Sequence, residues 1–294
     1  MMLSKIALQK AMARSITIFG LDRVSRRLLW RDRVAVLLYH DPKPETLDGH
    51  LTHLKTLCDF VPLSHVASRG DGRPRAAITL DDGAVGNADL LPVFIKHNVR
   101  PTIFLCSQFV GRPTMHWWLH PGAKKADIER LKRMTNDERL AELGKYGYNQ
   151  AREEEGTGLT ARQMEKMRPF VDFQAHTRFH PILTRCDDRE CEQEISDCKS
   201  ELESMLGIKC EHFAYPNGNY TDREIEFVKA AGYKTARTCD LGWNDSRSDP
   251  YRLKTIVIDD DATLWWFSAQ LTGIPVFMRY LRHARSLSGH SPQF

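Results

Sequence analysis

Short apolar runs of β-type composition recur along the chain, and each is followed by a loop and a more helical stretch. Strands that alternate with helices at this spacing predict parallel βα units, because parallel neighbours need a crossover connection. The predicted strands are 34–39, 76–80, 102–105, 171–175, 212–215, 234–237 and 255–258. The predicted helices include 47–57, 87–97, 160–167, 188–206 and 222–231. A single α/β barrel accommodates this pattern within 294 residues.

One stretch departs from this rhythm. Residues 121–158 are strongly charged and helical in composition, which is too long for an ordinary connection and predicts a helical insertion or a partly mobile lid. We therefore expect a catalytic domain over 34–260 that carries this insertion. A basic amphipathic helical segment over 1–33 precedes it, and an aromatic and basic helical tail over 261–294 follows.

The composition excludes several classes of protein. Lysine and arginine total 42 against 38 acidic residues, and the excess of +4 is spread along the chain, which does not favour nucleic-acid binding. The apolar runs fall far short of the roughly 20 residues that a membrane-spanning helix needs. The 7 cysteines are odd in number and form no Cys-x-x-Cys pair, so we expect reduced thiols and a cytoplasmic location.

Two adjacent carboxylates form the strongest chemical signal. Asp81 and Asp82 follow the predicted strand 76–80 directly and precede Gly83. The carboxyl ends of strands are where α/β barrels place catalytic groups, so one acid can bind a metal while its neighbour faces the substrate. The alternative is an ordinary Asp-Asp-Gly turn.

A histidine pair follows another predicted strand. His176 and His180 come after 171–175, and Pro181 favours a turn over a regular helix at His180. Two imidazoles and one carboxylate can form the three-ligand site with an open position that hydrolytic metal centres use. The alternative is a surface or helix-capping histidine pair.

Two further segments lie at strand ends. The run from Phe213 to Gly218 ends in a Pro/Gly turn that can aim a backbone N–H at a developing oxyanion. In the segment Leu37 to Asp41, His40 is followed at once by a carboxylate, which suits an acid–base imidazole. Each is also compatible with a plain strand end.

Together the four segments resemble the polysaccharide deacetylase family, the NodB-homology domain of carbohydrate esterase family four. Residues 79–83 are similar to its Thr-Phe-Asp-Asp-Gly motif, with Leu80 in place of Phe. Residues 176–180 resemble its His-Ser/Thr-x-x-His motif, and 213–218 resemble Phe-Ala-Tyr-Pro-x-Gly. The likeness covers roughly 34 to 258, and the shared order of the motifs makes it specific. It implies a distorted (β/α)7 barrel.

The position of one motif refines the resemblance. Ordinary members carry a Leu-x-x-His-Asp-like motif near the C-terminus, whereas this chain has Leu37-x-x-His40-Asp41 near its start. After Asp261 it offers only His283 and His290, neither in that pattern. The arrangement is similar to that of the circularly permuted deacetylases that act on poly-N-acetylglucosamine.

The resemblance implies a role for each matching residue. Asp82, His176 and His180 would bind a divalent transition metal, zinc above all, with nickel, cobalt, iron or manganese as alternatives. Asp81 would be the general base and His40 the acid, with Asp41 holding the His40 tautomer. The backbone N–H of Tyr215 would help to bind the oxyanion. The commoner third motif has an Arg that contacts the base, where this chain has Ala214, so Arg252 or Arg178 is expected to replace it.

The implied activity is hydrolysis of the N-acetyl group of an N-acetylated glycan, in the synthesis of bacterial surface polysaccharide or glycolipid. Alternatives are an O-acetyl esterase or other amide hydrolase, and an inactive carbohydrate-binding relative. Trp117, Trp118 and Pro216 are the candidate substrate contacts, with core packing as the alternative for the two tryptophans. The basic and aromatic termini suggest peripheral contact with an anionic membrane, with packing on the barrel as the alternative.

Overall fold

The computed structural model describes residues 2–68, 72–150, 152–275 and 277–278. Within them the backbone forms eight strands in the rhythm that the sequence predicts. The strands are β1 (Val34–Tyr39), β2 (Asp59–Phe60), β3 (Arg75–Leu80), β4 (Thr102–Leu105), β5 (Asp172–Ala175), β6 (His212–Ala214), β7 (Thr235–Leu241) and β8 (Leu253–Val257). The short β2 is the strand that the sequence pattern missed.

The strands follow the order β1-β8-β7-β6-β5-β4-β3-β2, and β1 also pairs with β3. This second pairing closes a parallel barrel of seven strands and leaves β2 on its outside. The predicted (β/α)7 fold is therefore confirmed. Residues at the carboxyl ends of neighbouring strands come together in such a barrel, as in the register that places Ala175 opposite Phe213.

The helices also match their sequence signals. They are α1 (Met2–Ile18), α2 (Leu21–Ser25), α3 (Pro44–Lys55), α4 (Leu91–His97), α5 (Pro121–Ala126), α6 (Ile128–Leu131), α7 (Asn136–Gly144), α8 (Ala161–Met167), α9 (Asp188–Leu206), α10 (Asp222–Ala230) and α11 (Leu264–Gln270). Thr160 and Thr221 begin α8 and α10 with capping boxes. Gly207 ends α9 with a left-handed φ of 61°.

The predicted insertion contains the three short helices α5, α6 and α7. Its apolar side chains pack into a small core of their own around Trp117, Ala123, Ala126, Leu131, Leu143 and Tyr148. The C-terminal tail begins with α11, whereas its residues from 279 onward, including His283 and His290, lie outside the described residues. The expected domain boundaries at 33 and 260 stay a prediction.

Contacts divide the chain into two compact units. The first comprises 1–79, 89–102 and 239–294, and the second comprises 80–88 and 103–238. The acid pair and the histidine pair all fall within the second unit. His40 and Asp41 fall within the first.

All seven cysteines are buried as free thiols. Burial raises the pKa of several of them, as for Cys58, whose pKa rises to about 12. The cytoplasmic location expected from the cysteines stays a prediction. No helix among the described residues combines the length and apolar character needed to cross a bilayer.

Gly158 marks where the insertion returns to the barrel. It pairs with Ala84 in an antiparallel bridge, two residues beyond Asp82. A Cβ at this position would lie 2.4 Å from the carbonyl oxygen of Phe109, and backbone cannot yield as a flexible side chain can. The close approach of the two segments therefore requires glycine.

We expect Gly158→Ala to lower the free energy of unfolding by about 1–3 kcal/mol, because the added methyl overpacks a backbone contact. Chemical denaturation measures the change. The control is Gly144→Ala in α7, where a Cβ meets nothing within 4 Å and alanine favours the helix. Equal stability of the two variants would contradict the packing at Gly158.

Candidate active site

The acid pair lies immediately after a strand whose six residues are all buried. Asp81 is only 4% exposed. Asp82 has a φ of 70°, in the left-handed region that residues other than glycine rarely adopt. Gly83 follows with a φ of 65°, and a Cβ there would lie 2.6 Å from Leu105 Cδ2. The turn thus reverses sharply at Asp82, as the sequence pattern predicts.

Two hydrogen bonds and burial fix the position of His176. Its backbone N–H donates to the carbonyl of Leu105 at 2.9 Å, and its side chain is almost fully buried. Its Nδ1 lies 2.8 Å from the carbonyl oxygen of Ala214, so Nδ1 carries the proton and Nε2 presents its lone pair. That Nε2 lies 3.6 Å from Asp82 Oδ1. The backbone thereby selects the tautomer that a metal ligand needs.

His180 approaches the same carboxylate from a strained turn. Its φ is 52°, and its N–H donates to the hydroxyl of Thr177 at 3.1 Å. Its Nε2 lies 3.4 Å from Asp82 Oδ1. Burial, with His176 as the next cause, lowers the pKa of His180 well below its ordinary value. The imidazole is therefore neutral, as a ligand must be.

The loop between the two histidines is held from α9 by Glu194. One carboxylate oxygen accepts the backbone N–H groups of Arg178 and Phe179 at 2.8 and 2.9 Å. Burial raises the pKa of this carboxyl group to about 7, against the lowering effect of the two N–H donors. Glu194 is a supporting residue that the motifs did not reveal.

The geometry suits one divalent ion. Ligand atoms of Asp82, His176 and His180 all lie within 4.8 Å of one another. A tetrahedral ion with bonds of roughly 2.1 Å places its ligand atoms about 3.4 Å apart, close to the 3.4 and 3.6 Å separations observed here. Two neutral imidazoles and one carboxylate leave the fourth position open, which is the donor set of a hydrolytic site.

Asp81 is held by a residue that the sequence reasoning missed. The fully buried Arg237 donates from a terminal guanidinium nitrogen to Asp81 Oδ2. The guanidinium also lies over the ring of Phe104, with 5.3 Å from Cζ to the ring centroid. A charged residue within an apolar strand is the sequence signal for Arg237. Because an unpaired buried charge is costly, such a residue indicates a carboxylate partner.

The two arginines predicted for this role each form an ion pair with another carboxylate. Arg252 is half exposed and forms an ion pair with Asp249 at 3.6 Å. Arg178 pairs with Glu201 at 2.9 Å and with Asp197 at 3.8 Å. Arg178 is therefore bound away from the base, and residue 237, one strand further along the chain, supplies a guanidinium to Asp81. A contact of Arg252 with the base stays a prediction.

The turn after β6 is more buried than predicted. The N–H of Tyr215, expected to bind an oxyanion, instead donates to the carbonyl of Arg237 at 3.2 Å as part of the strand pairing. Pro216 is buried and begins a short 3-10 turn, so it shapes the turn. The oxyanion role of the Tyr215 N–H and a substrate contact at Pro216 stay predictions.

The adjacent tryptophans have separate environments. Trp117 is only 2% exposed, so its ring is not available to a sugar, and packing was the correct alternative for it. Trp118 is partly exposed, and its ring centroid lies 4.5 Å from that of His180. Contact between Trp118 and a sugar stays a prediction.

His116, just before them, was not singled out by the motifs. Its Nε2 lies 3.3 Å from the backbone oxygen of Asp82, and its Nδ1 lies 2.7 Å from the hydroxyl of Thr157. Burial lowers its pKa to about 4, so the ring is neutral.

In the first unit, His40 follows β1 at an exposed position, as the motif predicts. Its N–H donates to Asp260 Oδ1 at 3.0 Å, and the N–H of Asp41 donates to Asp260 Oδ2 at 2.9 Å. One carboxylate thus fixes the turn that carries both residues. The acid role of His40 and the orienting role of Asp41 stay predictions.

Buried strands that end in an acid pair and a histidine pair are typical of a hydrolytic α/β barrel. The family model for polysaccharide deacetylase matches residues 68–236, more than half of the chain. The chain therefore belongs to the polysaccharide deacetylase family.

Solved structures confirm the fold at low sequence identity. The deacetylase PplD from Streptococcus pyogenes is 17% identical with a TM-score of 0.59, over 83% of this chain and 98% of that one. IcaB from Ammonifex degensii is 17% identical with a TM-score of 0.58, over 82% and 97%. A de-N-acetylase from Aggregatibacter actinomycetemcomitans is 15% identical with a TM-score of 0.58, over 81% and 100%. No curated protein sequence matches the chain significantly.

We expect the buried carboxyl group of Glu194 to make stability depend on pH. Its pKa is about 7 in the folded protein against an ordinary value of 4.5, so the folded chain keeps a proton that the unfolded chain releases between these values. Its contribution to stability therefore falls as the pH rises from 5 to 7.5, by on the order of 2 kcal/mol.

Glu194→Gln keeps an oxygen for the two N–H donors and removes the titration. Metal-free wild type should lose stability relative to this variant across that pH range in chemical denaturation. Glu192→Gln, at an exposed position of the same helix, should follow wild type. Parallel profiles for wild type and Glu194→Gln would contradict the raised pKa.

Proposed function

We propose that this chain is a metal-dependent hydrolase that removes N-acetyl groups from an N-acetylated glycan. The observation that carries the proposal is the convergence of Asp82, His176 and His180, beside an Asp81 that Arg237 holds in place. Family membership supports deacetylation, and the geometry supports the metal. The family alone is compatible with either amide or ester substrates.

Each residue has a distinct task in this proposal. When bound by Asp82, His176 and His180, a divalent ion supplies Lewis-acid polarisation of the acyl carbonyl. Asp81 accepts the proton of the attacking water, and the guanidinium of Arg237 complements and orients the ionised carboxylate. The water oxygen bonds to the acyl carbon and the carbon–nitrogen bond breaks. His40 is proposed to protonate the departing amine, which leaves acetate and a free amino sugar.

A similarity to one solved structure favours the N-acetyl substrate over its alternatives. One structural relative is itself named as a de-N-acetylase. An O-acetyl ester would use the same residues, so the acyl linkage must be tested directly. Asp82 and both histidines are present in ligating positions, and Asp81 is present as well, which disfavours an inactive carbohydrate-binding relative.

Acetate release from a panel of N- and O-acetylated glycans tests the activity. We expect release from N-acetylglucosamine oligosaccharides that chelator abolishes and zinc restores. Asp81→Asn should retain bound metal while the turnover falls by about 100-fold or more, because a general base contributes that much. Asp82→Asn should lose the metal. Release that is insensitive to chelator would refute the proposed mechanism.

A matched arginine pair tests the assignment at Asp81. Arg237→Gln should lower acetate release by about 10- to 100-fold, since a misplaced base reacts slowly. Arg247→Gln changes an exposed arginine paired with Asp245 and should leave release near the wild-type rate. Equal loss in both variants would show that the Arg237 contact is not specific.

We also propose that the N-terminal segment rests on an anionic membrane surface. Several apolar side chains there are at least half exposed: Ile18, Phe19, Val24 and Leu28. Three arginines line one adjacent surface pocket: Arg23, Arg27 and Arg31. Exposed apolar groups beside cationic ones suit an interface of anionic lipids.

Flotation with vesicles checks this surface. The chain should float with vesicles that contain phosphatidylserine and not with neutral ones. Arg23→Gln with Arg27→Gln should reduce flotation, whereas Lys124→Gln with Lys125→Gln on α5 should not. No difference between the two vesicle types would refute the electrostatic attraction.

A further inference from the structure

The tripeptide His116 to Trp118 contacts both turns that carry the candidate metal ligands. These turns follow different strands, since Asp82 comes after β3 and His180 after β5. The tripeptide itself belongs to neither turn and leads into the helical insertion. All of these residues lie in the second unit.

On one side, His116 holds the Asp82 turn through a backbone contact. The carbonyl of Asp82 can only accept, so Nε2 carries a proton and donates to it at 3.3 Å. The hydroxyl of Thr157 accepts the backbone N–H of His116 at 3.0 Å and lies 2.7 Å from Nδ1.

On the other side, the two tryptophans hold His180. The indole N–H of Trp117 donates to the carbonyl of His180 at 3.1 Å. The ring of Trp118 packs against the imidazole, with 4.5 Å between centroids. His180 is in a left-handed conformation that costs energy and persists only where its surroundings hold it.

A residue of the insertion contacts Trp117 of this tripeptide. The guanidinium of the buried Arg139, from α7, lies over the Trp117 ring at 4.5 Å. Arg139 in turn donates to Asn136, whose amide donates to Glu190 at the start of α9. Trp117 is therefore fixed between the insertion core and the histidine turn.

The returning end of the insertion is anchored to the same acidic turn. The N–H of Leu159 donates to the carbonyl of Gly83 at 2.8 Å, and the N–H of Val85 donates to the carbonyl of Thr157 at 2.9 Å. Both ends of the insertion thus bond to the segment that carries Asp82, and one end also bonds to the segment that carries His180.

We propose that the insertion sets the separation between Asp82 and His180, and hence the metal affinity of the site, with Trp117 and His116 as positioning residues. The inference rests on the metal site of the proposed function. In this proposal the insertion holds the metal ligands in position and does not contact the substrate. Residues that support ligands from outside typically change metal affinity by about 10- to 100-fold when they are replaced.

A pair of tryptophan variants separates positioning from general stability. Trp117→Phe keeps most of the buried ring and removes only the N–H donor to His180. The control is Trp30→Phe in the first unit, because Trp30 is equally buried and its indole N–H also donates to a backbone carbonyl, that of Arg75 at 2.7 Å. The two variants should lose similar thermal stability when metal-free.

Metal affinity is then measured by competition with a chromophoric chelator, using zinc and cobalt. We expect Trp117→Phe to weaken the affinity for zinc and for cobalt by about tenfold. This is the lower end of the range for residues that support metal ligands, because Trp117 contacts the backbone of the ligand His180. The visible spectrum of the cobalt-loaded protein should change as well. Trp30→Phe should match wild type in both readouts.

The outcomes distinguish the two proposals. Wild-type affinity and spectrum in Trp117→Phe, with metal bound normally by wild type, would overturn the positioning role and leave the proposed function intact. Equal weakening in Trp30→Phe would also overturn it, since the effect would then follow stability. Failure of wild-type protein to bind either metal would overturn the proposed function and the positioning role together.

Discussion

The hydrogen bond between His176 Nδ1 and the carbonyl of Ala214 is the interaction on which the site depends. It connects the end of β5 to β6 at 2.8 Å, and it determines which imidazole nitrogen faces the acids. Because the donated proton resides on Nδ1, Nε2 keeps its lone pair next to Asp82. The barrel register that places β5 beside β6 is thus also what prepares the ligand.

Strain accompanies this preparation. Asp82, Thr177 and His180 all have left-handed φ values, and these conformations occur where the chain leaves a buried strand. Hydrogen bonds from outside the turns offset their cost, above all those made by Glu194 and by Trp117. Rigid turns of this kind hold a ligand set together before an ion arrives, which reduces the ordering that binding requires.

Much of this structure could be predicted from sequence because its signals are local. Polar residues directly after predicted strands indicated the acid pair and the histidine pair. The alternation of strands with helices and the family resemblance indicated the barrel. The partners of those residues could not be predicted, because they are adjacent only in the folded chain. Arg237 reaches Asp81 across 156 positions of sequence, whereas Arg178, which the sequence also offered for this role, pairs with Glu201. Trp117 is likewise of a residue type that can stack on sugars. Only the packing of the folded chain around the insertion shows that it is buried.

The most direct test of the central claim is an anomalous difference map at the zinc absorption edge, from crystals of the zinc-loaded protein. The account predicts one strong peak within bonding distance of Asp82 Oδ1, His176 Nε2 and His180 Nε2, with Asp81 beside the ion and still held by Arg237. A peak bound by other side chains, or zinc bound without His176, would contradict it.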